Sequence, residues 1–206
     1  MKNGLFVTFE GIYGCGKTTQ IELLTQKLED NRLDYMLVRE PGGTKIGEKI
    51  REILLDNGNF DMEAKTELLL YSASRFQLSK QKLIPALENG KIVICDRFYD
   101  STTAYQGYGR GLSIDFIKSL NKFATNNLVP DITFFMDISL EERNSRIINN
   151  KLDRLESEGN NFQKKVREGF LELSKNETRF VKLNGSKSIE NISKKIWKKI
   201  ERELNG

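Results

Sequence analysis

The stretch Gly11 to Thr19, reading Gly-Ile-Tyr-Gly-Cys-Gly-Lys-Thr-Thr, constrains this chain more than any other. It has a glycine, four open positions, then Gly16, Lys17 and Thr18, the spacing of a phosphate-binding loop. Leu5 to Phe9 before it is a short apolar run that predicts a buried parallel strand. Ile21, Leu24 and Leu28 after it fall on one helical face. Strand, glycine turn and helix therefore follow in the order that aims backbone N–H groups and the positive end of a helix dipole at one anion. Gly11, Ile12, Tyr13, Gly14, Cys15, Gly16, Lys17, Thr18 and Thr19 are the candidate nucleotide-phosphate residues. Lys17 is expected to reach the β- and γ-phosphates, and the Thr18 hydroxyl to ligate magnesium. The loop alone does not distinguish a kinase from a GTPase or an ATP-driven machine.

The rest of the chain supplies the frame. Tyr35–Val38, Lys91–Cys95, Ile132–Asp137 and Arg179–Leu183 predict four more strands, alternating with helical patterns over 45–54, 62–87, 114–124, 140–148, 162–173 and a closing isoleucine-striped segment. The fold class is α/β: a five-stranded parallel sheet covered on both faces, of the P-loop NTPase type, with ligands at the carboxyl ends of the strands. Ile46, Ile50, Ile53 and Leu54 are expected to form the buried stripe of the second helix, with Arg51 off it. Asp96-Arg97 ends the central strand, where a magnesium-ordering carboxylate and a bidentate phosphate clamp belong. Tyr71 and Arg75 share a helix face, and spacing leaves open whether they bind a base or pack in the core. Asp100 to Gly111 reads as a polar, glycine-rich binding loop, and Asn149 to Asn161, charged and aperiodic, as a flap (LID) over the site or a solvated loop.

Composition narrows the function classes. The 206 residues contain no histidine, which excludes an imidazole base but not phosphoryl transfer, a reaction run on positioning and charge. A net charge of +4 is mild, and Lys194, Lys195, Lys198 and Lys199 alternate with a buried isoleucine stripe, so a solvated helix face is expected and no nucleic-acid partner. No apolar run approaches the ~18 residues of a membrane span, so no membrane association is expected. Met1 to Gly4 leads straight into the first strand, leaving no room for a signal peptide, and the only cysteines, Cys15 and Cys95, suit neither a disulfide framework nor a zinc site. The chain is read as one cytoplasmic domain over residues 1–206.

Glu10-Gly11, the phosphate loop, Arg39-Glu40-Pro41-Gly42-Gly43-Thr44, Ser72-Ala73-Ser74-Arg75, Asp96-Arg97-Phe98 and Ala104-Tyr105-Gln106-Gly107 occur together and in order. The set resembles the thymidylate kinases, particularly the bacterial type, across nearly the whole chain. The resemblance implies transfer of the γ-phosphate of ATP to dTMP, giving dTDP, with magnesium and in a homodimer. By position it implies Tyr71 stacked on thymine, Arg75, Gln106 and Thr102 near the base, and Tyr105 against the sugar 2′ position. Arg97 and Arg51 would hold the acceptor phosphate, beside Pro41. Gly14 stands where the other type of thymidylate kinase has a loop arginine, so the flap candidates for the transferring phosphoryl group are Arg146 and Arg154. Arg143 would stack on adenine with help from Asn184-Gly185-Ser186.

Tyr13 departs from the family, which carries an acid there that anchors the sugar 3′-hydroxyl. A phenol accepts a hydrogen bond but carries no charge near neutral pH. Two rival readings stand beside this one: another nucleoside monophosphate or deoxynucleoside kinase, and a GTP-binding switch. The switch would need Asn-Lys-x-Asp, and Asn121-Lys122-Phe123-Ala124 lacks the final acid.

Overall fold

A computed structural model describes residues 4–149 and 151–205. Met1 to Asn3 lie outside the described residues, as does Asn150 within the expected flap. Five parallel strands, β1 (Phe6–Glu10), β2 (Tyr35–Arg39), β3 (Ile92–Asp96), β4 (Ile132–Asp137) and β5 (Phe180–Asn184), form one sheet in the order β2-β3-β1-β4-β5. The central strands read as continuous apolar runs because both sheet faces are buried. Val7, Phe9, Ile94 and Phe134 pack into one core, and Phe6, Val93 and Cys95 into a second that includes Phe98 and Leu87. Each such fully buried ring or branched chain stabilises the fold by roughly 1.5–3 kcal/mol. Two polar residues inside this sheet satisfy one another: Thr8 and Thr133 are register partners, with their Oγ1 atoms 2.8 Å apart.

The helices are α1 (Lys17–Asp30), α2 (Lys45–Leu55), α3 (Ala64–Leu78), α4 (Ile84–Glu88), α5 (Tyr99–Thr102), α6 (Ile114–Thr125), α7 (Leu140–Ile147), α8 (Asn160–Asn176) and α9 (Ile189–Asn205). Thr44 caps α2 by accepting from Gly47 N at 3.0 Å, as its position before Lys45 predicted. In α9 Ile192, Ile196 and Ile200 are buried against α1, while Lys194, Lys195 and Lys198 are exposed. Among the described residues no helix is long and apolar enough to cross a membrane.

Three expectations are corrected. The 62–87 pattern is two helices, α3 and α4, joined by a π-helical turn over Ser79–Leu83; Pro85 in the first turn of α4 has no N–H to continue the ladder behind it. The stretch after Asp100 is not an irregular loop but α5 followed by a π-helical turn, Thr103–Gly109, whose Thr103 to Gly107 are buried. The stripe of α2 is split: Leu54 is buried as expected and Ile50 half-buried, whereas Ile46 and Ile53 are 54% and 47% exposed. Periodicity finds a face, and only the packing partner decides whether it points inward.

Candidate active site

At the carboxyl ends of β1, β2 and β3 lies a cavity of about 440 Å³. Its floor at one end is the Gly11–Thr19 loop. Gly11 has φ 139°, and a Cβ there would sit 2.6 Å from the Met136 carbonyl oxygen; Gly16, at φ 94°, turns the chain into α1. Tyr13, Gly14, Cys15, Gly16, Lys17, Thr18 and Thr19 line the cavity. Gly11 contributes its carbonyl, which accepts from Lys17 Nζ at 3.5 Å and Arg97 Nη1 at 2.8 Å. Ile12 is buried in the core behind the loop.

Beside the loop, Arg97 adopts φ 69°, a left-handed conformation that costs a non-glycine residue of order 1–3 kcal/mol. Neighbours hold it there. Its N–H donates to Phe9 O at 3.0 Å, its carbonyl accepts from the Cys95 thiol at 2.9 Å, and Nη1 also reaches Ser101 Oγ at 3.1 Å. The guanidinium lies 5.3 Å from the centre of the Tyr105 ring. The strain buys direction: the side chain leaves the strand end toward the phosphate loop. Arg51 Nη1 donates to the Pro41 carbonyl at 3.0 Å, and Arg39 shares that acceptor at 3.1 Å. Burial, then the Arg39 charge, pushes Arg51 down from the usual arginine value. Among the described residues Lys17, Arg51 and Arg97 face the cavity without an ion pair.

The opposite end is lined by Tyr71, Arg75, Thr102, Tyr105 and Gln106. Arg75, 1% exposed, is clamped by Glu40, its Nε and Nη2 lying 2.8 and 2.7 Å from Glu40 Oε2, and its guanidinium lies 5.7 Å from the Phe98 ring. Glu40 precedes a cis peptide bond to Pro41, which also lines the cavity. Burial raises the Glu40 carboxyl, and Arg75 opposes that rise. Burial also pushes the Tyr71 and Tyr105 phenols upward, so both rings present neutral edges. Asp96, Glu40 and Thr102 line the cavity, and Asp96 Oδ1, Glu40 Oε1 and Thr102 Oγ1 are buried without a hydrogen-bond partner among the described residues. Orphaned acceptors of this kind cost about 1–3 kcal/mol each unless a ligand, ion or water fills them.

Not every sequence candidate lines the cavity. Arg146 does, from α7, donating to Gly14 O at 3.2 Å and Gly185 O at 2.9 Å while paired with Glu142. Arg143 is buried behind it, with Nη2 on the Glu156 carbonyl at 2.8 Å. Asn184 accepts from Ser186 N at 2.9 Å in the turn after β5, beside a separate hollow. Arg154 is turned to Glu67 and Leu54, although its neighbours Asp153, Leu155 and Glu156 line the cavity.

Sequence reasoning missed three carboxylates as site architecture. Glu10 Oε1 accepts from Phe98 N (2.8 Å) and Ser101 N (3.3 Å), and Oε2 from Ser101 Oγ (2.6 Å), fixing the turn that carries Arg97. Its carboxyl is pushed up to about 7 by burial and by Asp100, against the pull of Arg97. Glu40 and Glu67 each neutralise buried arginines. An acid ending a strand beside the phosphate loop was a visible signal for Glu10; Glu67, inside a helix, gave none.

A parallel 2-3-1-4-5 sheet, a phosphate loop between β1 and α1, and one cavity shared by that loop, Asp96-Arg97 and the Tyr71–Arg75 helix face define the class: a P-loop nucleoside monophosphate kinase fold. The family described as "Thymidylate kinase" matches residues 9–196. The thymidylate kinase of Caldanaerobacter subterraneus subsp. tengcongensis is 48% identical over 204 residues, covering 98% of each chain. That of Thermoanaerobacter sp. is 48% identical over 202 residues, 98% of this chain and 99% of its own length. The Fervidobacterium nodosum protein is 47% identical over 194 residues, 94% of this chain and 97% of its own. The chain belongs to the thymidylate kinase family.

Proposed function

We infer that this enzyme transfers the γ-phosphate of ATP to dTMP, forming dTDP. One observation carries the geometry of that reading: three cations without ion pairs among the described residues, Lys17, Arg51 and Arg97, converge on a cavity with a phosphate loop at one end and a base-sized, aromatic and amide-lined pocket at the other. Two anionic ligands brought end to end are what such uncompensated charge suits. In this reading the loop N–H groups and Lys17 hold the donor phosphates. Arg97 and Arg51 hold the acceptor phosphate, and Tyr71, Arg75, Thr102 and Gln106 orient the base. Tyr105, against the Arg97 guanidinium, takes the sugar side.

Magnesium fits the residues present. Asp96 Oδ1 is a buried acceptor awaiting a partner, Thr18 lines the same cavity, and Mg²⁺ characteristically takes one or two protein oxygens, with waters and substrate phosphates completing its shell. The ion would supply neutralisation of the phosphate oxygens between the two nucleotides.

A homodimer is part of the proposal. Ile46 and Ile53 on α2, Leu69 and Phe76 on α3, and Phe116 and Phe123 on α6 are exposed; these helices pack in series, and Phe76 stacks on Phe123 at 5.9 Å. An apolar surface of that extent is what a second copy of the chain would cover. We also read the chain as one kinase domain with its flap over 149–161, working in a reducing cytoplasm that keeps the buried, free Cys15 and Cys95 as thiols.

An ADP-release assay with ATP and dTMP, dUMP, ribothymidine monophosphate and thymidine tests the reading. Turnover with dTMP and little with thymidine is expected; preference for a nucleoside or another monophosphate would replace it with a sister kinase.

A further inference from the structure

Arg146 and Arg154 compete for one role on the sequence, and the structure gives them different surroundings. Glu67, wholly buried in the first turn of α3, has both oxygens filled. Oε1 accepts from Gln106 Nε2 at 2.8 Å and Arg110 Nε at 3.3 Å; Oε2 accepts from Arg110 Nη2 at 3.1 Å and pairs with Arg154 Nη1 at 2.6 Å. Arg154 Nε donates to the Leu54 carbonyl, near the end of α2, at 3.0 Å. One carboxylate thus joins α3, the turn carrying Gln106 and the flap. Arg110 ties the flap a second time by pairing with Glu158, and Asn57 Nδ2 holds its Leu152 carbonyl at 3.1 Å. A guanidinium 94% buried against a buried carboxylate cannot leave it cheaply, because departure strands its own charge and leaves Glu67 to Arg110 alone.

Gln106 faces the cavity and Arg154 does not, so the flap seat and the base end of the acceptor pocket hang on the same side chain. Arg146 sits instead against the phosphate loop, on the carbonyls of Gly14 and Gly185. We propose that Glu67 is a positioning residue that seats the flap through Arg154 and orients Gln106, and that Arg146, not Arg154, is the flap-side cation for the transferring phosphoryl group. This rests on the kinase reading above.

The test combines steady-state kinetics with amide hydrogen exchange of the 151–159 segment. Arg154→Ala should raise exchange there about tenfold, raise KM for dTMP about tenfold, release ADP in excess of dTDP as water enters, and leave kcat within about threefold. Arg154→Lys, which keeps a charge for Glu67, should restore most of the protection. Arg146→Ala should lower kcat by roughly 10²-fold or more with exchange unchanged. Glu67→Gln combined with Arg154→Ala should be no worse than the poorer single variant, since both remove one linkage. A large kcat loss in Arg154→Ala with KM, coupling and exchange unchanged would overturn the assignment. Exchange needs no turnover: if the protein fails to phosphorylate dTMP, the kinase reading falls while the clasp is still judged by protection of 151–159. Should Glu67→Gln not fold, the two Arg154 variants decide.

Discussion

The two ends of the cavity solve opposite electrostatic problems. At the phosphate end Lys17, Arg51 and Arg97 are left without ion pairs among the described residues, and backbone carbonyls and an aromatic ring hold them in place. At the other end Arg75 is matched to Glu40 and, just outside the lining, Arg154 to Glu67, each pair buried. A cation that the protein neutralises itself shapes a wall. A cation that it leaves unpaired waits for an anion brought by the ligand. The difference separates Arg51 and Arg97 from the buried, paired Arg75 more sharply than proximity does, since all three line the same cavity.

The largest expected effect tests the unpaired end. Arg97→Ala should lower kcat/KM for dTMP by roughly 10³–10⁴-fold while ATP binding, followed by calorimetry, stays within a few-fold. The paired end should answer in stability. Glu40→Ala strands the Arg75 charge in a site 1% exposed and should cost about 3–5 kcal/mol in denaturant unfolding. Should Arg97→Ala prove the more destabilised variant and Glu40→Ala the less active one, the division fails.

Glu10 sharpens the comparison because it lies behind Arg97 without pairing to it. Its folded value is raised from 4.5 to about 7, so the folded state holds a proton that the unfolded chain releases. The resulting stability is fully present below pH 4.5 and is lost as pH rises through 7, a span of roughly 3 kcal/mol for this buried group. Unfolding free energies across pH 5 to 8 should show that decline, and Glu10→Gln should flatten it. The smallest effect belongs to Tyr13→Asp, which puts a charged acceptor in the cavity wall where the family resemblance implies a sugar contact: KM for dTMP should fall about fivefold, about 1 kcal/mol, with kcat unchanged. An unchanged or higher KM would refute the sugar contact.

Legibility in the sequence followed locality. The phosphate loop, the strands and Asp96-Arg97 were readable because each is a short run whose chemistry and fold are set within a few residues. The convergence of Asp96-Arg97 and the loop followed from the parallel α/β order alone. What was not readable depends on distant partners. Arg75 meets Glu40 across 35 positions of sequence, and no periodicity announces such a pair. The stripe of α2 was visible but not which half of it would be covered, since Leu54 is buried while Ile46 and Ile53 face outward where an ordinary monomer would bury them. The segment after Asp100 looked like a loop because its glycines and polar side chains hide a π-helical turn packed against α8. That Arg154 is held by an acid, Glu67, was not readable either, because that acid lies on another helix.

The central claim, that unpaired cations at the strand ends read the acceptor phosphate, is tested most directly by one ratio: the affinity for dTMP divided by that for thymidine, measured by calorimetry on wild type and on Arg97→Ala. Wild type should prefer dTMP by roughly 10²-fold, a charge-assisted bidentate contact, and Arg97→Ala should bind the two within a few-fold of each other. A variant that keeps the full preference for dTMP would contradict the account.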